Sequence, residues 1–152
     1  PVYLRFGRLA VPVFHGDDYK FEIGKGEILK DGTDVAIIAC GEMVKPAYDA
    51  AALLKSKGIS ASVVDMYCLK PLDVNTILDV AANAKVVLTV EEHAPTGGLG
   101  SMVSQVVSRH CPRKVQNLTL PDAPVITGTS KEVFAHYGLD AAGIAKAAEE
   151  LL

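Results

Sequence analysis

The sequence predicts an α/β fold: an open, mostly parallel twisted sheet with helices on both faces. Two observations carry this reading. From Asp34 onward, short apolar runs alternate with longer segments whose apolar residues recur at helical spacing. The runs at 35–39 and 86–90 are almost wholly apolar, as in strands covered on both faces. Parallel strands need crossover helices, each crossover is right-handed, and a doubly covered open sheet is the economical result.

The elements follow in order. Residues 2–6 are expected to form a short strand and residues 7–18, with Pro12 and Gly16, a linker. Residues 19–29 read as two short extended pieces split by Gly24 and Gly26, and Asp31-Gly32 as a turn. The first buried strand, 35–39, ends at Gly41. Val44, Ala47, Tyr48, Ala51 and Leu54 share a helix face, with Pro46 tolerated near the start and Gly58 as a stop. Residues 59–67 read as the next strand. Pro71 and Asp73 open a helix to Asn83, with Asp73 as N-cap. Val86, Val87, Leu88 and Val90 make a third buried strand. Leu99, Met102, Val103, Val106, Val107 and His110 form the apolar stripe of a helix. Residues 115–120 are a fourth strand. Thr129 to Glu132 reads as a capping box for a short helix that Gly138 ends. Asp140 caps a last helix with Ile144, Ala147, Ala148 and Leu151 on its buried side.

Length and composition narrow the function. The chain has 152 residues, enough for one folded domain. Apolar residues are 49% and charged residues 22%, the mix of a soluble packed globule. Lys plus Arg number 15 against 18 Asp plus Glu, a net charge of −3 that gives no electrostatic case for nucleic acid. Without Trp, and with four Phe and five Tyr, stacking platforms are not expected either. No apolar stretch approaches the roughly 18 residues of a membrane span, and Arg5, Arg8 and Asp17 interrupt any leader-like run. Cys40, Cys68 and Cys111 are odd in number and lack a C-x-x-C pair, which points to a reduced intracellular protein without a zinc site. His15, His93, His110 and His136 include no pair four apart on a helix. The first residue is Pro1, not Met, which reads as a piece of a longer protein.

In open parallel sheets ligands bind at the carboxyl ends of the strands, near a topological switch point. Three loops qualify: 40–45, 67–73 and 91–101. The last contains Glu91, His93, Gly97, Gly98, Gly100 and Ser101, where a buried strand enters a glycine cluster and a helix begins. One reading is an anion site, since helix N-termini and glycine backbones favour phosphate or carboxylate. The other is a tight turn in which a Glu carboxylate satisfies the free helix N–H groups. The spacing is not that of a dinucleotide-binding G-x-G-x-x-G turn. His93 beside two carboxylates reads either as a general base or as a hydrogen-bonding or interface residue. Cys40 before a helix start is either an activated thiol or a small buried residue. Asp65 and Asp73 flank the second loop as a carboxylate pair, although Asp73 already serves as a cap. Lys131, Arg109 and Arg113 read as solvated charges, the two arginines near a helix C-terminus. No complete catalytic constellation emerges.

An ordered set of motifs resembles the C-terminal domain of transketolase-like thiamine diphosphate enzymes. It comprises Phe21-Glu22-Ile23-Gly24-Lys25-Gly26-Glu27, Asp31-Gly32-Thr33-Asp34-Val35, Ala39-Cys40-Gly41 and Lys57-Gly58-Ile59. Val64-Asp65-Met66, Lys70-Pro71-Leu72-Asp73, Val90-Glu91-Glu92-His93, Gly97-Gly98-Leu99-Gly100-Ser101 and Tyr137-Gly138-Leu139-Asp140 continue it. Pro1-Val2-Tyr3-Leu4-Arg5 is similar to the last strand of the preceding pyrimidine-binding domain. The resemblance implies that residues 1–18 are the tail of that domain plus a linker, and 19–152 the C-terminal domain. It implies a cytoplasmic enzyme of carbohydrate metabolism that transfers two-carbon ketol units between sugar phosphates, using thiamine diphosphate and a divalent metal. Its partners would be pyrimidine- and pyrophosphate-binding domains or subunits, in a homodimer or heterotetramer, with no nucleic acid and no membrane. The pyrophosphate-binding motif is not in this sequence, so no catalytic, cofactor-binding or metal residue is expected on this piece, which would serve assembly and support. Two alternatives stay open. One is a 1-deoxy-xylulose-5-phosphate synthase or 2-oxo-acid dehydrogenase E1 beta subunit. The other is a free-standing anion-binding module.

Overall fold

The computed structural model describes residues 1–7 and 10–152. Five strands form one sheet: β1 (Glu27–Lys30), β2 (Val35–Ala39), β3 (Ala61–Asp65), β4 (Val86–Val90) and β5 (Lys114–Leu118). Their spatial order is β1-β3-β2-β4-β5; β1 runs antiparallel to β3 and every other pairing is parallel. The helices are α1 (Val44–Ser56), α2 (Val74–Asn83), α3 (Leu99–His110), α4 (Ser130–His136) and α5 (Ala141–Leu151).

The pleat of β2 divides the core in two. Val35, Ile37 and Ala39 pack with Ala47 and Leu54 of α1 and Ile144 and Ala148 of α5. Ala36 and Ile38 pack with Ile77 and Ala81 of α2 and Leu99, Val103 and Val107 of α3. Every residue of β2 and β4 is buried, which is why neither run shows polar alternation. A fully buried Ile or Leu of this kind contributes about 1.5–3 kcal/mol.

The helix ends use the expected chemistry. The Asp73 carboxylate accepts the Thr76 N–H at 3.1 Å, and Asp140 accepts the Gly143 N–H at 2.8 Å. Thr129 and Glu132 form a complete capping box. Gly58 takes φ +79°, and its N–H closes α1 on the Lys55 carbonyl at 3.0 Å.

Four sequence expectations change at their margins. Residues 2–6 form no strand; a lone extended segment has no neighbour here to take its backbone hydrogen bonds. The 7–18 linker is irregular where described, and its residues 8 and 9 lie outside the described residues. Of the two extended pieces expected in 19–29, only the second becomes a strand, shifted to Glu27–Lys30. Strand 59–67 shortens to Ala61–Asp65, because the Ile59 N–H closes α1 on the Leu54 carbonyl. Strand 115–120 becomes Lys114–Leu118, since the Leu120 N–H turns to the His93 carbonyl at 3.1 Å.

The crossover through α1 carries the chain from β2 to β3, away from β4, whereas the crossover through α3 carries it from β4 to β5 on the other side. The direction reverses between β2 and β4. Their carboxyl ends therefore flank the switch-point crevice.

Candidate functional site

The crevice brings together the first and third of the loops expected from sequence. Cys40 follows β2, and Glu91, Glu92 and His93 follow β4. The second loop lies one strand farther out, beyond β3, where Asp73 Oδ2 also takes the Gly26 N–H at 3.1 Å.

Glu91 is the centre of the crevice. Its side chain is 0% exposed. Its carboxylate accepts the N–H of Leu99 at 2.6 Å and that of Gly100 at 2.9 Å. These are free donors of the first turn of α3, and a negative charge there also meets the positive end of the helix dipole. His93 Nε2 stands 3.0 Å from Glu91 Oε2, and His93 Nδ1 lies 3.2 Å from the Ala94 carbonyl. Gly97 has φ +80°, and its N–H donates to Ser101 Oγ, which donates in turn to the Pro95 carbonyl. A Cβ on Gly98 would collide with Glu91 and His93, and one on Gly100 with Asn117.

The loop is thus built as a turn around an internal carboxylate. An external anion at the Leu99 and Gly100 N–H groups would have to displace Glu91. Both ring nitrogens of His93 face protein acceptors, the Glu91 carboxylate and the Ala94 carbonyl, which hold the ring against the turn. The sequence held the signal for this: a Glu at the strand end and glycines at the helix start.

The neighbouring groups adjust two further expectations. Burial, then the Glu92 and Glu91 carboxylates, push the Cys40 thiol up to about 12, so the helix start does not activate it. Glu92 Oε1 pairs with Arg5 Nη2 at 3.3 Å, while Glu92 Oε2 is buried without a hydrogen-bond partner. Burial pushes the Asp65 carboxyl up to about 6. For Asp73, burial raises the carboxyl, but hydrogen bonds from Thr76 and Gly26 outweigh it and hold it below the usual range. The two aspartates therefore do different jobs, one as a cap and one as a half-buried carboxyl. Arg113 is exposed, as a solvated charge would be, but its Nε donates to the Ala84 carbonyl at 3.1 Å, at the C-terminal end of α2. Proximity along the chain to α3 points to the wrong helix.

Among the described residues, no group of three or more His, Cys, Asp or Glu is arranged to hold a metal ion. All three cysteines are free.

Comparison with known proteins bears on what such a domain belongs to. The family model "Transketolase, C-terminal domain" matches residues 24–144. The chain is 48% identical over 153 residues to one of the subunits of the apulose-4-phosphate transketolase of Phocaeicola vulgatus, covering 100% of this chain and 49% of that protein. It is 41% identical over 157 residues to 1-deoxy-D-xylulose-5-phosphate synthase of Magnetococcus marinus, covering 100% of this chain and 25% of that protein. A solved structure described as a split gene transketolase, inactive beta4 tetramer, matches with a TM-score of 0.85 and 39% identity, covering 93% of this chain and 46% of that one. The chain thus spans half or less of the length of the relatives it matches.

Proposed function

The chain belongs to the transketolase C-terminal domain family, and on that premise we propose that it is the C-terminal part of a split transketolase-type enzyme. The whole enzyme transfers two-carbon ketol units between sugar phosphates, with thiamine diphosphate and a divalent metal supplying the carbanion chemistry. This part serves assembly and supports the active-site entrance.

One observation carries the assignment of a supporting role. The helix start that would cradle a diphosphate is already filled by Glu91. The donor set here does not suit the cofactor either: the crevice offers carboxylates and a protonated thiol, with no metal-holding cluster among the described residues. The cofactor is therefore assigned to the pyrimidine- and pyrophosphate-binding domains, on the same polypeptide or on a partner subunit. No reaction step is assigned to this chain.

Residues 1–18 read as the end of the preceding pyrimidine-binding domain and a linker. In support, Val2, Tyr3, Leu4 and Phe6 are between 70% and 87% exposed, an apolar segment interrupted by Arg5, and exposed apolar groups gathered in this way mark docking surfaces. The loop of Glu91, His93, Gly97, Gly98, Gly100 and Ser101 is its counterpart on the body of the domain, an interface built on a rigid internal clamp. The assembled enzyme is a homodimer or heterotetramer, and the beta4 relative supports self-association of such subunits. A cytoplasmic location belongs to the same reading. Among the described residues no helix is long and apolar enough to cross a membrane.

The test mixes this chain with a polypeptide carrying the two other domains, followed by size exclusion and a ketol-transfer assay. Co-elution with activity only in the mixture is expected. Separate elution with no activity in the mixture would refute the reading. The likeness to 1-deoxy-D-xylulose-5-phosphate synthase supports a second reading, which carbon dioxide release from a 2-oxo-acid donor in the same mixture would identify.

A further inference from the structure

The second loop expected from sequence, residues 67–73, follows β3 and lies outside the crevice. Tyr67, Cys68 and Asp73 all reach back to the segment that enters the domain ahead of β1. Tyr67 Oη donates to the Glu22 carbonyl at 3.2 Å. The Gly24 N–H donates to Cys68 Sγ at 3.2 Å, and the Gly26 N–H to Asp73 Oδ2 at 3.1 Å. Phe21 is exposed but rests on Tyr67, with ring centroids 5.0 Å apart. Gly24 takes φ +85° and passes so near Pro71 that a Cβ would stand 3.0 Å from the proline Cγ. A Cβ on Gly26 would stand 3.0 Å from the Met66 thioether.

The same segment is anchored again at Phe14. This ring is half-buried against the α1–α5 side of the core, 5.4 Å from the ring of Tyr48 on α1. His15 stacks on Tyr19 with centroids 3.9 Å apart, and its Nδ1 lies 3.0 Å from Glu27 Oε2. The Tyr19 N–H closes a turn on the Gly16 carbonyl at 3.1 Å. The chain then enters β1, where Glu27 stands opposite Asp65 in the antiparallel ladder. Residues 10–13, by contrast, are exposed. An extended segment has no internal partners for its N–H groups, so acceptors on the body decide its path. Two anchors on one short segment also support each other, because each holds the other near its seat.

We propose that the 67–73 loop is a seat for an extended chain and that residues 14–26 are its occupant, a fixed strap and not a free linker. The folded body then starts at Phe14, and motion of a preceding domain relative to this one is confined to residues before it. The seat recognises backbone. It offers acceptors to two glycine N–H groups and a donor to one carbonyl, while Phe21 on Tyr67 sets the register, as in the recognition of extended peptides. Its demand on sequence is a glycine at position 24, where φ is positive and Pro71 is close. The strap rests on this chain's own contacts. Only the statement about a preceding domain rests on the reading of the chain as part of a split transketolase-type enzyme.

Amide exchange of the whole chain, resolved by residue and corrected for intrinsic rates, tests the strap. The N–H groups of Tyr19, Gly24, Lys25 and Gly26 all have acceptors, and they are expected to exchange at least about tenfold more slowly than those of residues 2–6. Tyr67→Ala removes the aromatic contact and the Glu22 bond, and is expected to speed exchange at Lys25 and Gly26 about tenfold. Gly24→Val, an alteration on the strap itself, is expected to do the same. Phe14→Ala is expected to speed exchange at Tyr19. Protection of β2 and β4 amides in each variant shows that the domain is folded. Exchange of Lys25 and Gly26 at the rate of residues 2–6 in the unaltered chain would overturn the proposal, as would protection that survives both Tyr67→Ala and Gly24→Val. Where Tyr67→Ala also loosens β2 and β4, Gly24→Val decides, since its site lies outside the sheet. A failure of the two-component mixture to form an active enzyme leaves these rates untouched, so the two readings fail separately.

Discussion

Glu91 and Leu99 are eight positions apart in the chain, yet the Glu91 carboxylate accepts the Leu99 N–H at 2.6 Å. One fully buried side chain thus joins the end of β4 to the start of α3. Removing it leaves two helix N–H groups and a histidine without their acceptor. Glu91→Ala is expected to cost about 3 kcal/mol, because the vacated space adds to the lost charge-assisted bonds. Glu91→Gln keeps the shape but offers one acceptor oxygen, and is expected to cost about 1–2 kcal/mol. Urea unfolding of the two variants measures both losses.

The glycines of this turn differ in what they tolerate. Gly98 has no room for a methyl group because Glu91 and His93 occupy its Cβ position. Gly98→Ala is expected to destabilise by about 1–3 kcal/mol through overpacking. Gly97 faces open space but has φ +80°, a conformation Asn adopts more readily than other non-glycine residues. Gly97→Asn is accordingly expected to cost less than Gly97→Val, with thermal unfolding as the measurement.

Asp73 fastens α2 and the approach to β1 at once, through Thr76 and Gly26. Its carboxyl is held below the usual range, so its stabilisation is present above the unfolded value and lost as pH falls through the folded one. Asp73→Ala is expected to cost about 1–2 kcal/mol near neutral pH. The gap to the unaltered chain should narrow in acid below the ordinary aspartate range. Denaturant titrations at several pH values give the profile.

Cys40 should resist alkylation. With its thiol pushed up to about 12, almost none is thiolate near neutral pH. Iodoacetamide at about pH 8 is expected to modify Cys40 rapidly in the unfolded chain and hardly at all in the folded one. Peptide mass mapping of the two reactions reads the difference. Rapid modification in the folded chain would restore the activated-thiol reading.

Much of this architecture is legible in the residues. Val35 to Ala39 is buried on both faces and reads as such, because a strand between two helix layers has no solvent side to mark. Asp73, Thr129 and Asp140 announce their helices because capping is a local interaction spanning three residues. Arg113 is misplaced by its neighbours in the chain because its partner, the Ala84 carbonyl, is 29 positions away and no local pattern links them. The Glu27–Asp65 opposition is invisible for the same reason, since strand register depends on pairing and not on spacing along the chain.

The sequence by itself determined the strand–helix alternation, the caps and the family, all of which rest on short-range patterns or their order. Only the tertiary structure decided which group meets the helix start in the glycine loop. A helix N-terminus attracts an anion whatever its source, and folding delivers one from within: Glu91, carried to Leu99 and Gly100 by the end of β4.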